Sequence, residues 1–183
     1  MEITNVVEEL DSPVISYLLG VKHLKNRFLF LKIFLTQQII NEYTEFRDEM
    51  KVFPNFSIRE IEKHFPGFDS RRLVEWQQKG YIQKLRNRYY YFSDQKVEEP
   101  FLYYTANQLY HPSYVSLESA LSRYGFIPEG VFQITSCTTL KTNSFNTPIG
   151  NFSYRHLKPS LFFGYQLKEW NDHRYAMAEP EKR

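Results

Sequence analysis

An α+β chain is predicted, on three observations. Residues 57–92 carry two short helical patterns followed by a basic pair of β-prone runs. Residues 93–100 form a polar, charged segment closed by a proline. From Gly130 onward, short alternating runs replace helical spacing. Together they predict an N-terminal winged helix-turn-helix domain (residues 1–93) followed by a small mixed α/β domain (residues 101–183).

The elements follow in order. Residues 1–22 are weakly patterned; Asp11-Ser12-Pro13 opens a short helix through Leu19, ended by Gly20. From His23 to Met50 the spacing is strong, with Leu24, Phe28, Leu31, Leu35, Ile39, Tyr43, Phe46 and Met50 recurring at steps of three and four. Phe30, Ile33 and Phe34 widen the stripe, so this helix is expected to be buried on more than one side or to pair with a second chain. Val52-Phe53-Pro54-Asn55 breaks it.

Ser57-Ile58-Arg59-Glu60 has the form of a capping box, a hydroxyl at the cap and a carboxylate three residues on. Ile58, Ile61 and Phe65 give the helix an apolar face, and Pro66-Gly67 ends it. Asp69 or Ser70 caps a second helix in which Leu73 and Trp76, with Val74 beside them, supply the buried stripe. Gly80 follows Lys79 as a left-handed C-terminal cap. Arg71, Arg72, Glu75, Gln78 and Lys79 remain for the outer face.

Tyr81-Ile82-Gln83-Lys84-Leu85 and Tyr89-Tyr90-Tyr91-Phe92 then read as a hairpin around Arg86-Asn87-Arg88, where Asn87 tolerates the positive φ of a tight turn. Residues 69–91 hold six Lys/Arg and two acids, a local charge of +4, while the whole chain is only +2. Cations clustered on a helix and an adjacent loop match a phosphate-binding footprint. The candidate DNA-binding residues are Arg71, Arg72, Gln78 and Lys79 on the helix, and Lys84, Arg86, Asn87 and Arg88 on the hairpin. A winged helix that serves only as a protein-binding scaffold is the competing reading.

In the second domain a helix is expected from Phe101 to Leu109, broken by His111-Pro112. Another holds Val115, Leu117, Ala120, Leu121 and Tyr124, capped by Ser113 or Ser116 and ended by Gly125. Strands are expected at Val131-Phe132-Gln133-Ile134-Thr135 and on through Ser136 to Leu140, and at Phe152-Ser153-Tyr154-Arg155-His156. Two more are expected at Phe162-Phe163-Gly164-Tyr165-Gln166-Leu167 and Tyr175-Ala176-Met177-Ala178, with a turn at Thr147-Pro148-Ile149-Gly150.

Residues 133–160 contain no acid but hold Lys141, Arg155, His156 and Lys158 among Thr135, Ser136, Thr138, Thr139, Thr142 and Ser144. Cations and hydroxyls without competing acids suit a second anion or DNA surface. The alternative is an ordinary polar sheet edge, since strand alternation sends about half of such side chains inward.

Composition excludes several classes. A hydrophobic share of 42% supports a packed core rather than disorder. The single cysteine, Cys137, excludes an internal disulfide and a cysteine-based zinc site, and fits a cytoplasmic protein. No apolar run reaches the roughly 20 residues of a membrane span, and no signal peptide is visible. His23, His64, His111, His156 and His173 show no metal-ligand spacing, and no glycine-rich phosphate loop is present. No catalytic residue, metal or cofactor is therefore assigned, and an enzyme is not expected. Cys137 reads as buried packing in a strand.

A series of motifs in the second half resembles a known family. It comprises Tyr114-Val115-Ser116-Leu117-Glu118-Ser119-Ala120-Leu121-Ser122-Arg123-Tyr124-Gly125, Ile127-Pro128-Glu129, Gln133-Ile134-Thr135-Ser136, Phe145-Asn146-Thr147-Pro148-Ile149-Gly150 and Phe152-Ser153-Tyr154-Arg155-His156, closing on Ala178-Glu179-Pro180-Glu181-Lys182. This series is similar to the AbiEi antitoxins of bacterial type IV toxin–antitoxin systems, over roughly residues 57–182. The resemblance implies a winged-helix domain that represses its own promoter, and a C-terminal domain that counteracts a nucleotidyltransferase-like toxin encoded alongside, in abortive-infection defence against phage. The family's chains continue beyond the Ala-x-Pro-Glu-Lys element. This one stops at Arg183, so a shortened second domain is expected, with DNA binding retained and self-association favoured.

The expected function is that of an autorepressor bound to its own operator, with room for two copies there. A toxin-binding module without DNA binding is the second reading, and a nuclease-like activity in residues 101–183 the third.

Overall fold

The computed structural model of the chain describes residues 24–127 and 133–180. The expected helix through Leu19, the strand start at Val131-Phe132 and the residues Glu181-Lys182 lie outside them, as do the side chains of Leu24, Phe28, Phe30, Leu35 and Ile39. The fold is mixed α+β, and it divides into two compact units, Met1–Glu49 and Met50–Arg183. The polar segment 93–100 thus lies inside the second unit. No described helix is long and apolar enough to cross a membrane.

Helix α1 (Leu24–Met50) forms as its spacing predicts. Its stripe is not buried throughout: Leu31, Ile33 and Phe34 are exposed, whereas Phe46 and Met50 at the C-terminal end are buried.

The second unit opens with β1 (Phe56–Ser57), α2 (Ile58–His64), α3 (Arg71–Gln78), β2 (Ile82–Arg86) and β3 (Tyr89–Phe92). The capping box at α2 closes in both directions. Glu60 N–H donates to Ser57 Oγ (3.3 Å), and Ser57 N–H donates to Glu60 Oε2 (2.6 Å). At α3 the expected cap falls to Asp69, whose Oδ1 accepts from Arg71 N–H (3.0 Å), while the Ser70 side chain makes no cap bond. Gly80 adopts φ +73, and Tyr81 N–H reaches back to the Trp76 carbonyl (2.9 Å), a glycine-based helix stop that an L side chain would strain.

The three strands run in the order β1-β3-β2, all antiparallel. On one face the rings of Phe56, Tyr90 and Phe92 lie against one another, and they are buried together with Ile82 of β2, Ile61 of α2 and Leu73 and Trp76 of α3. A register shift between Lys84 and Arg86 marks a bulge. Leu85, within the bulge, and Tyr91, opposite Gln83 on the other face of the hairpin, belong to a different core, shared with the second sheet. The hairpin is therefore covered on both faces.

That second core is built by α4 (Glu99–Leu109), β4 (Ser113–Val115), α5 (Leu117–Arg123), β5 (Gln133–Thr138), β6 (Asn143–Thr147), β7 (Gly150–His156), β8 (Tyr165–Trp170) and β9 (His173–Ala178). The sheet order is β6-β7-β5-β4-β9-β8, with β5–β7 and β4–β9 parallel and the other neighbours antiparallel. Tyr154 Oη donates to the Ala106 carbonyl (2.7 Å), and Tyr103 meets Tyr175 (5.6 Å between rings), which holds α4 against the sheet. Asn55 Nδ2 donates to Thr105 Oγ1 (2.9 Å) in the interior, tying the segment before β1 to α4.

Three expectations are corrected in this region. Ser113 and Val115 lie in strand β4, and only Ser116 stands at the start of α5, without a side-chain cap bond. Asn143–Thr147 is an unpredicted strand. The strand expected from Phe162 begins at Tyr165, after a 3-10 turn at Pro159–Leu161.

Candidate nucleic-acid interface

The helix α3 is anchored by its inner face and offers its outer one. Leu73 and Trp76 are 1% exposed, with Trp76 5.8 Å from the Phe68 ring. Their spacing turns Arg71, Val74 and Gln78 outward together, since positions three and seven apart share a helix face. Val74 was expected beside the buried stripe. It is instead 55% exposed, an apolar side chain in a polar face.

The cations on this face are partly matched. Arg71 Nη2 lies 2.8 Å from Asp69 Oδ2, and its Nε donates to both Asp69 oxygens (3.0 and 2.9 Å). These bonds, with the backbone bond from Arg71, hold the Asp69 carboxyl below the usual carboxylate range; the same pairing raises the arginine. Lys79 Nζ pairs with Glu75 (3.3 Å) one turn back. Arg72 is half-buried and Gln78 exposed. Both ion pairs are at the surface, where a phosphate competes readily for the cation.

On the hairpin, Lys84, Asn87 and Arg88 are exposed, and among the described residues Lys84 and Arg88 have no acidic partner. The positive φ of the turn belongs to Arg88 (φ 69) and not to Asn87. The Arg88 carbonyl accepts from Ile58 N–H (3.0 Å), which ties the tip to the start of α2.

Arg86 departs from its expected role. Past the bulge it shares the face of Tyr89, and its Nη1 donates to the Leu109 carbonyl (3.1 Å) while its Cζ lies 3.8 Å from the centre of the Phe145 ring. It joins the hairpin to α4 and β6 and is not turned to solvent with Lys84 and Arg88.

The second, acid-free stretch is only partly a surface. Lys141, Arg155, His156 and Lys158 are exposed. Arg155 pairs with Glu118 (3.7 Å), an acid from α5 that the local sequence did not reveal. His156 Nδ1 lies 2.9 Å from the Leu140 carbonyl, and its N–H donates to Thr142 Oγ1 (3.2 Å). Thr135, Ser136 and Thr138 are buried. Thr135 Oγ1 donates to the Ser116 carbonyl (2.8 Å) and Thr138 Oγ1 to the Pro112 carbonyl (2.7 Å), so these hydroxyls hold strands and turns together. Cys137 is buried in β5, as expected of packing. Among the described residues, no three His, Cys, Asp or Glu side chains are placed to hold a metal ion.

A scan against protein-family models finds no match to this sequence, and a search of curated proteins finds no relative.

Proposed function

We propose that the chain is a sequence-specific DNA-binding regulator acting in the cytoplasm, with residues 56–92 as a winged helix-turn-helix. One observation carries this reading. An anchored helix presents Arg71, Val74 and Gln78 together, and the hairpin that follows it exposes Lys84, Asn87 and Arg88. Arg and Gln suit base edges in the major groove, and Lys and Arg at the hairpin suit phosphates. The element order supports the reading too: two short helices, then a hairpin whose second strand lies between β1 and β2.

The resemblance to AbiEi antitoxins supplies the regulated site and the partner. DNA upstream of the chain's own gene would be the operator, and a nucleotidyltransferase-like toxin the partner of the second sheet. The exposed cations Lys141, Arg155 and Lys158 of the acid-free stretch would add to the DNA surface. Fluorescence anisotropy of the full chain with its upstream DNA, against scrambled DNA, tests the proposal. Preference for the upstream fragment, weakened steeply by salt, supports it. Equal weak binding to both fragments rejects it.

A second reading is favoured by the burial of both hairpin faces and the inward turn of Arg86: the module would scaffold a protein partner without touching DNA. Rescue of growth from a co-expressed toxin, in the absence of any operator binding, would select it.

A further inference from the structure

One edge of the six-stranded sheet is β8, which has no strand beyond it among the described residues. Its pairing with β9 fixes which backbone groups point outward. Trp170 and His173 close that hairpin around Asn171-Asp172, and the pairs Lys168 with Tyr175 and Gln166 with Met177 follow at alternate positions. In a two-residue hairpin the closing pair and every second pair exchange backbone bonds. The bond from Glu179 N–H to the Gly164 carbonyl (3.0 Å) continues the same even-numbered series. The N–H and C=O groups of Tyr165, Leu167 and Glu169 therefore face the open side.

The side chains of these three residues are exposed as well, Leu167 to 59%. Leu161 and Phe163, just before the strand, are also exposed. Protein edges are commonly guarded by an outward lysine. Here Lys168 has the opposite parity, and its Nζ lies 5.7 Å from the Tyr124 ring centre. Among the described residues the edge is thus open in its backbone groups, and it is apolar at its middle.

We propose that this edge is a homodimer interface, in which two copies join their sheets antiparallel through β8 with Leu167 on the twofold axis. The sequence of the strand argues for a second copy as the occupant. A twofold axis perpendicular to the sheet returns every side chain to its own face, so only residues of equal parity can meet. With Leu167 on the axis, Leu167 meets Leu167 of the second copy, Tyr165 meets Glu169, and Gln166 meets Lys168. The outward backbone groups of all three odd-numbered residues find partners. Moving the axis to Lys168 sets two lysines directly opposite, which is destabilising; moving it to Glu169, which pairs with Arg174 (3.1 Å), shifts the pairing off the strand into the Asn171-Asp172 turn. Moving it to Gln166 shifts the pairing off the strand toward Phe163 and Gly164.

Sedimentation velocity of the full chain over a concentration series tests the interface, and it does not depend on DNA. A monomer–dimer equilibrium is expected. Leu167→Lys, at an exposed site, is expected to raise the dimer dissociation constant by about tenfold or more and to leave the thermal midpoint unchanged at concentrations where both proteins are monomeric. Leu167→Cys provides a second readout. Opposed bonded residues stand about 5.5 Å apart at Cα, slightly wide at Cβ for a direct disulfide, so a short thiol-bridging reagent such as dibromobimane should trap the dimer. Gln166→Cys, which meets Lys168, should not trap, and the buried Cys137 of the wild type should not. A wild type that stays monomeric throughout overturns the proposal. So does a dimer that Leu167→Lys leaves intact, or one that Leu167→Cys fails to trap.

Discussion

Arg86 caps the ring of Phe145, its guanidinium carbon 3.8 Å from the ring centre, while its Nη1 reaches the Leu109 carbonyl at 3.1 Å. One cation from the hairpin thus fastens two elements of the second sheet's core. A partly desolvated cation–π contact is worth about 0.5–2 kcal/mol, and a charged donor bond about 1.5–3 kcal/mol. Arg86→Ala should therefore lower stability by about 1–3 kcal/mol in urea denaturation. Its effect on the salt dependence of DNA binding should be small. Arg88→Ala should instead lower the salt slope by about 0.9 with little change in stability. Equal slope losses for the two variants would mean that Arg86 also contacts phosphate.

Ser57→Ala tests the start of α2. The hydroxyl accepts from Glu60 N–H at 3.3 Å, and its loss leaves that donor half-buried without its cap. Loss of such a cap costs about 1 kcal/mol. Glycine should cost less, because it keeps the cap backbone accessible to water. A thermal midpoint identical to wild type for the alanine variant would show that the Glu60 half of the box suffices.

What could be read in the sequence was local. The capping box, the glycine stop at Gly80, the turn at Pro148-Ile149 and the burial of Leu73 and Trp76 each follow from residues a few positions apart. What escaped depends on distant partners. A bulge adds one residue to a strand without leaving a pattern, so the reversal of Arg86 could not be read from alternation. Strand β6, Asn-Ser-Phe-Asn-Thr, has little β-propensity of its own and exists because β7 pairs with it. The Thr135 and Thr138 hydroxyls looked available to an anion because the carbonyls of Ser116 and Pro112, which they serve, are far off in sequence.

The buried phenols set an alkaline limit. Burial pushes Tyr103, Tyr104 and Tyr114 up to about 12 from 10.0, and Tyr154 higher still. A phenol raised in the folded state ionises first in the unfolded one. The stability it contributes is fully present below the unfolded value of 10.0 and is lost as pH rises through about 12. Urea midpoints should be flat up to pH 10 and then fall, with phenolate absorbance rising together with loss of the circular-dichroism signal. Phenolate absorbance that rises fully while the fold persists would show that these rings ionise in place.

Val74 separates packing from recognition on α3. At 55% exposure it holds little of the core, so Val74→Ala should shift stability by about 0.5 kcal/mol or less. Trp76→Ala, two residues on and 1% exposed, should cost about 3–5 kcal/mol. On the proposed interface Val74 stands between Arg71 and Gln78, where an apolar side chain can meet the 5-methyl group of thymine. DNA selected from a random pool by the wild type should then weaken about three- to fivefold when uracil replaces the contacted thymine, the worth of one buried methyl group. Val74→Ala should lose most of that sensitivity and keep its salt slope, because no phosphate contact has changed. Selection of no sequence at all would count against DNA binding itself. A selected sequence indifferent to uracil would reject only the role of Val74.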